Sequence, residues 1–274
     1  MHRAMLTQED AVAVGAVFAG APIGLALAGV SEASRSASIL SVAVAPAFRG
    51  QGVGTALLRQ LEQEVMPCCD SAEAVFTDGS EYSDAVRRLL VKQGWGPIRP
   101  RMLICKSNRE RIFQAPWMHQ PPLPDEFEIF RWCDLSETEK AEIRERRYIQ
   151  YPDIESPFED EDWMEPVSSL GLRHRGVVAG WMITHILEPD TLRFTRMFVR
   201  QDLQRRARAI SLLAESIRRF AAQPIVERVF NAVWGIHVEN VPMMHFARRR
   251  LAPWSTAMYY SYGASRLFRT SAAD

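Results

Sequence analysis

Residues Arg49 to Gly54 read R-G-Q-G-V-G and lie between an apolar run of strand character, Ile39–Val44, and a helix-like run, Thr55–Val65. Three glycines within five residues let the backbone approach an anion closely, and the amides at the start of the following helix point toward negative charge. Arg49 adds a guanidinium capable of a charge-assisted contact. Residue types at this spacing suit the seating of a phosphate or pyrophosphate. No Lys-Ser/Thr pair follows the glycines, so the turn is not a Walker loop, and its spacing does not give G-x-G-x-x-G.

A glycine-rich hexapeptide alone is a weak signal, and its flanks carry the inference. Ser41-Val42-Ala43-Val44-Ala45-Pro46 runs into the turn, and Ala56, Leu57, Leu58 and Leu61 give helical spacing after it. A second strand-like run, Ala74–Phe76, a helix-like run, Asp84–Gln93, and Gly94-Trp95 follow. This order resembles motifs A and B of the GCN5-related N-acetyltransferases (GNAT), whose turn is Q/R-x-x-G-x-G/A; Arg49, Gly52 and Gly54 fill its fixed positions.

The resemblance implies acetyl-coenzyme A, or a related acyl thioester, as co-substrate. Its pyrophosphate would meet the turn through Arg49, Gly50 and the amides of Gln51, Gly52, Val53, Gly54 and Thr55. The strand entering the turn would splay from its neighbour, with the backbone at Val42 and Val44 receiving the pantetheine arm and the thioester carbonyl. Donors at that carbonyl stabilise the oxyanion of a tetrahedral intermediate. Counting back from Gly94-Trp95, the family's motif B asparagine falls at Ser83, a further cofactor-binding expectation. Its general-acid tyrosine falls at Leu90, so the usual acid is missing. Tyr82 is the nearest phenol and is a catalytic candidate, with packing beside a helix start as its alternative.

The elements that must position these groups form two patterned halves. Lys106–Asp125, with Pro116, Pro121, Pro122 and Pro124, reads as a proline-rich linker. The expected layout is a first domain over 1–110, a linker over 111–125 and a second domain over 126–274. Strand-like Glu126–Trp132 opens the second half, followed by a polar helix from Ser136 to about Tyr148 and an acidic stretch from Asp153 to Glu165. Strands at Ser168–Arg173, Val177–Ile186 and Leu192–Val199 come next. An arginine-rich turn, Gln201–Arg208, leads into a helix ending near Ala222. A strand at Val226–Val233, a helix at Pro242–Arg250 and a strand at Ala257–Tyr262 complete the order. The fold class expected is mixed α/β: two tandem acetyltransferase-like domains, each a central mixed sheet flanked by helices.

The two turns can be laid against each other, Val44 opposite Val199, Arg49 opposite Gln204, Gly52 opposite Ala207 and Gly54 opposite Ala209. Ala207 adds a Cβ where the family keeps glycine, so coenzyme binding is expected to be weakened there. Arg200, Arg205, Arg206 and Arg208 suit either phosphate contact or a solvated surface with carboxylate partners. In the second half Asn240 keeps the motif B residue, as a cofactor contact or a helix N-cap, and Met243, Ala247 and Leu251 follow without a tyrosine. Glu239, beside His237, is the second catalytic candidate, as a proton acceptor. Glu155, Glu159, Asp160, Glu161, Asp162 and Glu165 fall where the family's second helix lines the acceptor site, interleaved with Phe158 and Trp163. They suit attraction of a cationic amine or a hydrated loop.

The first half lacks the family's opening strand and two helices, which normally cover the acceptor pocket. One working site shared by the two halves, or by two chains of a homodimer, is therefore expected. Lys plus Arg and Asp plus Glu are 33 each, a balance that argues against a nucleic-acid or membrane partner. Cys68, Cys69, Cys105 and Cys133 show no metal-ligand spacing, no metal is expected, and reduced cytoplasmic thiols are the simpler reading. Ala11–Val30 is uncharged, but Glu9 and Asp10 replace a basic flank and Gly20-Ala21-Pro22 divides it, which predicts a β-hairpin. The function expected is transfer of an acyl group from coenzyme A to an amine of a small molecule or peptide. The alternative is a non-catalytic acyl-coenzyme A sensor or scaffold.

Overall fold

The computed structural model describes residues 10–204, 208–224 and 230–268. The expectations for Glu9, Arg205, Arg206, Ala207 and the first residues of the strand beginning at Val226 lie outside them. Contacts divide the chain into two units: Met1–Met102 with Tyr259–Asp274, and Leu103–Met258.

In the first unit β1 (Ala11–Phe18) and β2 (Ala21–Ser31) form an antiparallel hairpin. Its turn, Ala19-Gly20, has φ of 49° and 79°, the doubly positive geometry whose twist matches flanking strands. The uncharged segment is thus two strands, and among the described residues no helix is long and apolar enough to cross a membrane. β3 (Ser36–Val44) leads through the glycine turn to α1 (Val53–Val65), which buries Leu57, Leu58, Leu61 and Val65 at the helical spacing the sequence showed. β4 (Ser71–Thr77) and α2 (Ser83–Lys92) follow. Leu90 and Trp95 join the apolar core, and the Trp95 indole donates to buried Glu62 at 2.6 Å.

Strand order in this unit is β1-β2-β3-β4-β11, where β11 (Ala257–Leu267) comes from the far end of the chain. It runs antiparallel to β4 from Ser261 opposite Thr77 to Leu267 opposite Ser71. The break between units therefore falls away from the proline-rich stretch. β5 (Arg99–Asn108), which sequence patterning did not reveal, starts in the first unit and ends in the second. The stretch expected as a linker is packed structure. Asn108 caps α3 (Arg109–Phe113), Pro116 opens a 3-10 turn, and Trp117 and Met118 are buried, with the indole donating to the Arg250 carbonyl at 2.9 Å. Buried aromatic and thioether area outweighed the proline composition there.

The second unit places β5, from Leu103, beside β10 (Asn231–His237), then β9 (Thr191–Val199), β8 (Val177–Glu188), β7 (Leu170–His174) and β6 (Phe127–Arg131). The β7–β8 turn, Arg175-Gly176, has φ of 52° and 79° and repeats the Ala19-Gly20 turn. α4 (Glu137–Glu145) starts at a reciprocal cap in which Ser136 and Glu139 bond each other's backbone amides. It stops short of Tyr148, which has φ of 63°. α5 (Arg208–Ala221) packs Leu212, Leu213, Ile217 and Phe220 inward, and α6 (Val241–Phe246) follows β10.

Candidate functional site

In the first unit β3 and β4 pair in parallel from Ser36 opposite Ser71 only to Ile39 opposite Ala74, although β3 continues to Val44 and β4 to Thr77. The cause lies one residue further on. Leu40 is the extra residue of a bulge, since Leu27 faces Ser41 while Ala28 faces Ile39. A bulge turns the strand and raises its twist, so β3 leaves β4 and a gap opens between them. Ala45 N–H donates to the Ile23 carbonyl at 2.8 Å, toward β2. Alternation along the strand turns the N–H groups of Val42 and Val44 into the gap.

The turn closes the mouth of that gap. Gly50 and Gly52 have φ of 75° and 85°, and a Cβ built on either meets no atom within 4 Å. Glycine is thus required there by backbone conformation, and the space in front of it is open. The first helical bond runs from Ala56 N–H to the Gly52 carbonyl, so the N–H groups of Val53, Gly54 and Thr55 lead α1 without intrahelical partners. Gly54 lies against Val44 Cγ2 at 3.6 Å and Val42 Cγ1 at 4.0 Å, measured from a built Cβ, which ties the helix start to the splayed strand. A dipole end, consecutive free amides and an open approach fit a pyrophosphate continuing into an amide-lined slot.

Side chains at the mouth are ordered by the same turn. Arg49 Nε donates to the Val44 carbonyl at 3.0 Å and its guanidinium lies 4.8 Å from the centre of the Tyr82 ring. Gln51 Nε2 donates to the Ala47 carbonyl at 2.8 Å. Tyr82 is 47% exposed, immediately before α2, and Ser83 is its first residue. The structure therefore brings Arg49, the turn and Tyr82 together. Leu90, at the tyrosine position of motif B, is 3% exposed and belongs to the core.

Glu239 belongs to the second unit, exposed in the turn between β10 and α6, two residues after exposed His237 at the end of β10. Asn240 Oδ1 accepts from Met243 N–H at 3.2 Å, so Asn240 is a helix cap. The acidic stretch forms two 3-10 turns, Asp153–Glu155 and Glu161–Trp163, rather than an α-helix. Its carboxylates are largely engaged: Glu159 pairs with Arg196, Glu161 with Lys140 at 3.1 Å, and buried Glu165 accepts from Ser168 and Gln223. Trp163 is 80% exposed and floors no pocket among the described residues. Phe158 stacks near Trp132 and under Arg144.

The second unit repeats the gap. β9 and β10 pair from Thr191 opposite Asn231 to Phe194 opposite Trp234, and β9 runs on to Val199. Thr195 is the bulged residue, since Ile183 faces Arg196 while Thr184 faces Phe194. Arg200 N–H donates to the Ala179 carbonyl at 2.8 Å, and Gln204 Nε2 donates to the Val199 carbonyl at 2.9 Å. Arg200 itself pairs with Asp202 at 2.6 Å, and Arg208 lies over the Phe127 ring. By the same alternation, Met197 and Val199 N–H face this second gap.

Sequence reading missed the two bulges and took Glu155 only as one carboxylate of the acidic stretch. Burial pushes the Glu155 carboxyl up to about 7, while the nearby Arg196 charge and the Met197 backbone pull the other way. A bulge has no residue signature, but the spacing from each paired Arg/Ala-Gly hairpin to each turn could have shown that the units match. Half-buried His185 is held by Thr195 Oγ1 at 2.7 Å and is shifted down by burial. The four cysteines are free thiols; burial pushes Cys69 and Cys105 up to about 11. Among the described residues no group of three or more His, Cys, Asp and Glu could hold a metal.

Comparisons with known proteins bear on the same elements. Residues 2–95 match the model of the acetyltransferase (GNAT) family. No curated protein matches the chain. A tandem GNAT protein from the clavulanic acid biosynthesis pathway is similar in structure, with TM-score 0.67 and 12% identity over 97% of this chain and 86% of that one. A GCN5-related N-acetyltransferase from Sphaerobacter thermophilus has TM-score 0.59 and 18% identity over 92% and 78%. A GCN5-related glucosamine N-acetyltransferase region of a fungal multi-domain β-N-acetylglucosaminidase has TM-score 0.60 and 14% identity, covering 95% of this chain and 33% of that one. At these identities the structures speak for fold, and the family model speaks for the first segment. The chain has the mixed α/β, tandem GNAT fold, and its segment 2–95 carries the match to the family model.

Proposed function

We propose that the chain transfers an acyl group from coenzyme A to an amine of a small molecule or peptide, using the opening of the first unit. The observation that supports this reading most is the continuity of the slot. Free amides at the start of α1 lead directly to the N–H groups of Val42 and Val44 where β3 leaves β4. In this reading Gly50, Gln51, Gly52, Val53, Gly54 and Thr55 seat the pyrophosphate, and Arg49 and Ser83 flank it. Val42 and Val44 receive the acyl arm. The amine nitrogen forms a bond to the thioester carbon, the carbon–sulfur bond breaks, and the amine proton leaves to a base while the thiolate takes a proton. Backbone donors in the slot stabilise the intermediate oxyanion. Tyr82, held beside Arg49, is the candidate donor to the thiolate, whereas Glu239 belongs to the second unit and is a proton-acceptor candidate on the sequence reading alone.

Thiol release from acetyl-coenzyme A across a panel of amines tests this. We expect amine-dependent release that Gly52→Trp abolishes. Binding unchanged in that variant would place the site elsewhere. A second reading, an acyl-coenzyme A sensor without turnover, draws on buried Leu90 standing where the family's acid stands. Tight binding with no release for any amine would favour it.

A further inference from the structure

The first unit holds an open cavity of about 360 Å³ whose lining shares no residue with the opening described above. Its walls are α1, the end of α2 and β11, and its charged lining is Arg59, Glu62, Lys92 and Arg266. The ten residues from Gly52 to Glu62 span roughly 15 Å of helix at about 1.5 Å each, so the cavity lies well down α1 from the glycine turn.

Three cations meet one carboxylate here, and that carboxylate is already engaged. Buried Glu62 accepts from the Trp95 indole on Oε1 at 2.6 Å and meets Arg266 Nη1 with Oε2 at 3.0 Å. The same Nη1 donates to the Gln93 carbonyl, which leaves Arg266 Nε and Nη2 without a hydrogen bond among the described residues. Arg59 and Lys92 are exposed and form neither an ion pair nor a hydrogen bond among the described residues. Cations near helix C-termini commonly complement the dipole there. The end of α2, however, closes through its own backbone: Gly94 N–H donates to the Val91 carbonyl and Trp95 N–H to the Leu90 carbonyl, both at 3.0 Å. Arg59 stands in the middle of α1, away from either terminus.

We propose that this cavity binds the phosphate group of a small molecule, held by Arg59, Lys92 and the remaining N–H groups of Arg266. The cations approach from three separate elements, and a tetrahedral dianion accepts from several directions at once, where a carboxylate accepts in one plane. The volume is at the lower end of the roughly 300–1,000 Å³ of small-molecule pockets, with room for a small organic remainder against exposed Met66. A phosphate in this place joins α1, α2 and β11, the strand that the far end of the chain contributes, so its binding stabilises the first unit. The proposal does not depend on reading the first opening as an acyl-thioester slot.

Calorimetric titration of the full-length chain tests it, with inorganic phosphate, glycerol 3-phosphate and glycerol as probes at constant ionic strength. The glycine turn is a second place for phosphate, so the titrations are run on Gly52→Asp, whose added carboxylate repels an anion there. We expect one equivalent of phosphate in that chain, and affinity lower by about tenfold or more when Arg59→Gln and Lys92→Gln are added. Both side chains are exposed, so the substitutions disturb no packed group, and circular dichroism checks the fold. Arg88→Gln, an equal loss of charge on α2 outside the cavity, should change affinity less than about twofold. The assigned Trp95 indole N–H resonance, bonded to Glu62 at the cavity floor, is expected to shift in step with phosphate and to stay still in the double Gln variant. No saturable phosphate binding, unchanged affinity in the double Gln variant, an equal fall in Arg88→Gln, or glycerol bound as well as its phosphate would each overturn the proposal. Glycerol 3-phosphate binding tighter than phosphate would identify an ester as the source, and the reverse order free phosphate. Failure of coenzyme binding at the glycine turn would leave these outcomes as they are.

Discussion

At the first opening Arg49 holds the Val44 carbonyl and the Val42 amide faces a gap; at the second Gln204 holds the Val199 carbonyl and the Met197 amide faces a gap of the same build. The bulged residues, Leu40 and Thr195, and the last paired residues, Ile39 and Phe194, correspond in both. The difference teaches that a splayed strand pair is a frame and not yet a site. What makes it a site is the turn that follows: in the first unit Gly50 and Gly52 open the approach at positive φ, and in the second Gln204 stands where Arg49 stands.

The widest contrast between the units can be broken by ending the chain after Met258. That removes β11, the partner of β4 over seven residue pairs from Ser261 to Leu267, and leaves an unpaired edge in the first unit. We expect that unit to lose its cooperative unfolding transition while the second keeps one, read by circular dichroism and limited proteolysis. A fragment ending near residue 110 has the same defect and is a poor test of the first opening. Next in size, Gly52→Asp places a carboxylate at the open approach and puts a Cβ on a residue with φ of 85°. Acetyl-coenzyme A affinity should fall at least a hundredfold by titration, whereas Gln204→Ala should change it less than twofold.

The third contrast concerns protons. Glu155 sits at about 7 in the folded chain against an ordinary value of 4.5, so the folded state binds its proton more tightly than the unfolded one. Its contribution is complete below about pH 4.5 and is lost as pH rises through about 7, on the order of 3 kcal/mol at most across that window. Glu155→Gln, which never ionises, should therefore melt above the wild type at pH 8 and alike at pH 4. A melting difference independent of pH would break the comparison. Glu139 runs the opposite way: bonding by Arg173 holds its carboxyl at about 2, so its contribution is present above pH 4.5 and fades as pH falls toward 2. The smallest effect is expected from Arg49→Gln, which copies the second unit by keeping a donor for Val44. Coenzyme affinity should drop about three- to tenfold, with a shallower salt dependence, since only the charge is lost.

Much of the frame was legible in residues. Alternation and helical spacing gave β1–β4 and α1 within a few residues, the glycines marked the turn at 49–54, and the polar helix was placed from Ser136, which caps α4. β5 was not legible, because Arg99-Pro100-Arg101 hides a strand whose burial begins only at Leu103. The proline-rich stretch was misread for a related reason. Composition counts prolines, but Trp117 and Met118 bury area that outweighs them.

By itself the sequence determined which elements form and which turn can meet an anion, because those follow from local conformational freedom and from periods of two and 3.6 residues. Only the tertiary structure decided where strands part and which chain end completes the first sheet. Bulge and strand exchange are set by packing between residues far apart in the chain, and no local pattern records them.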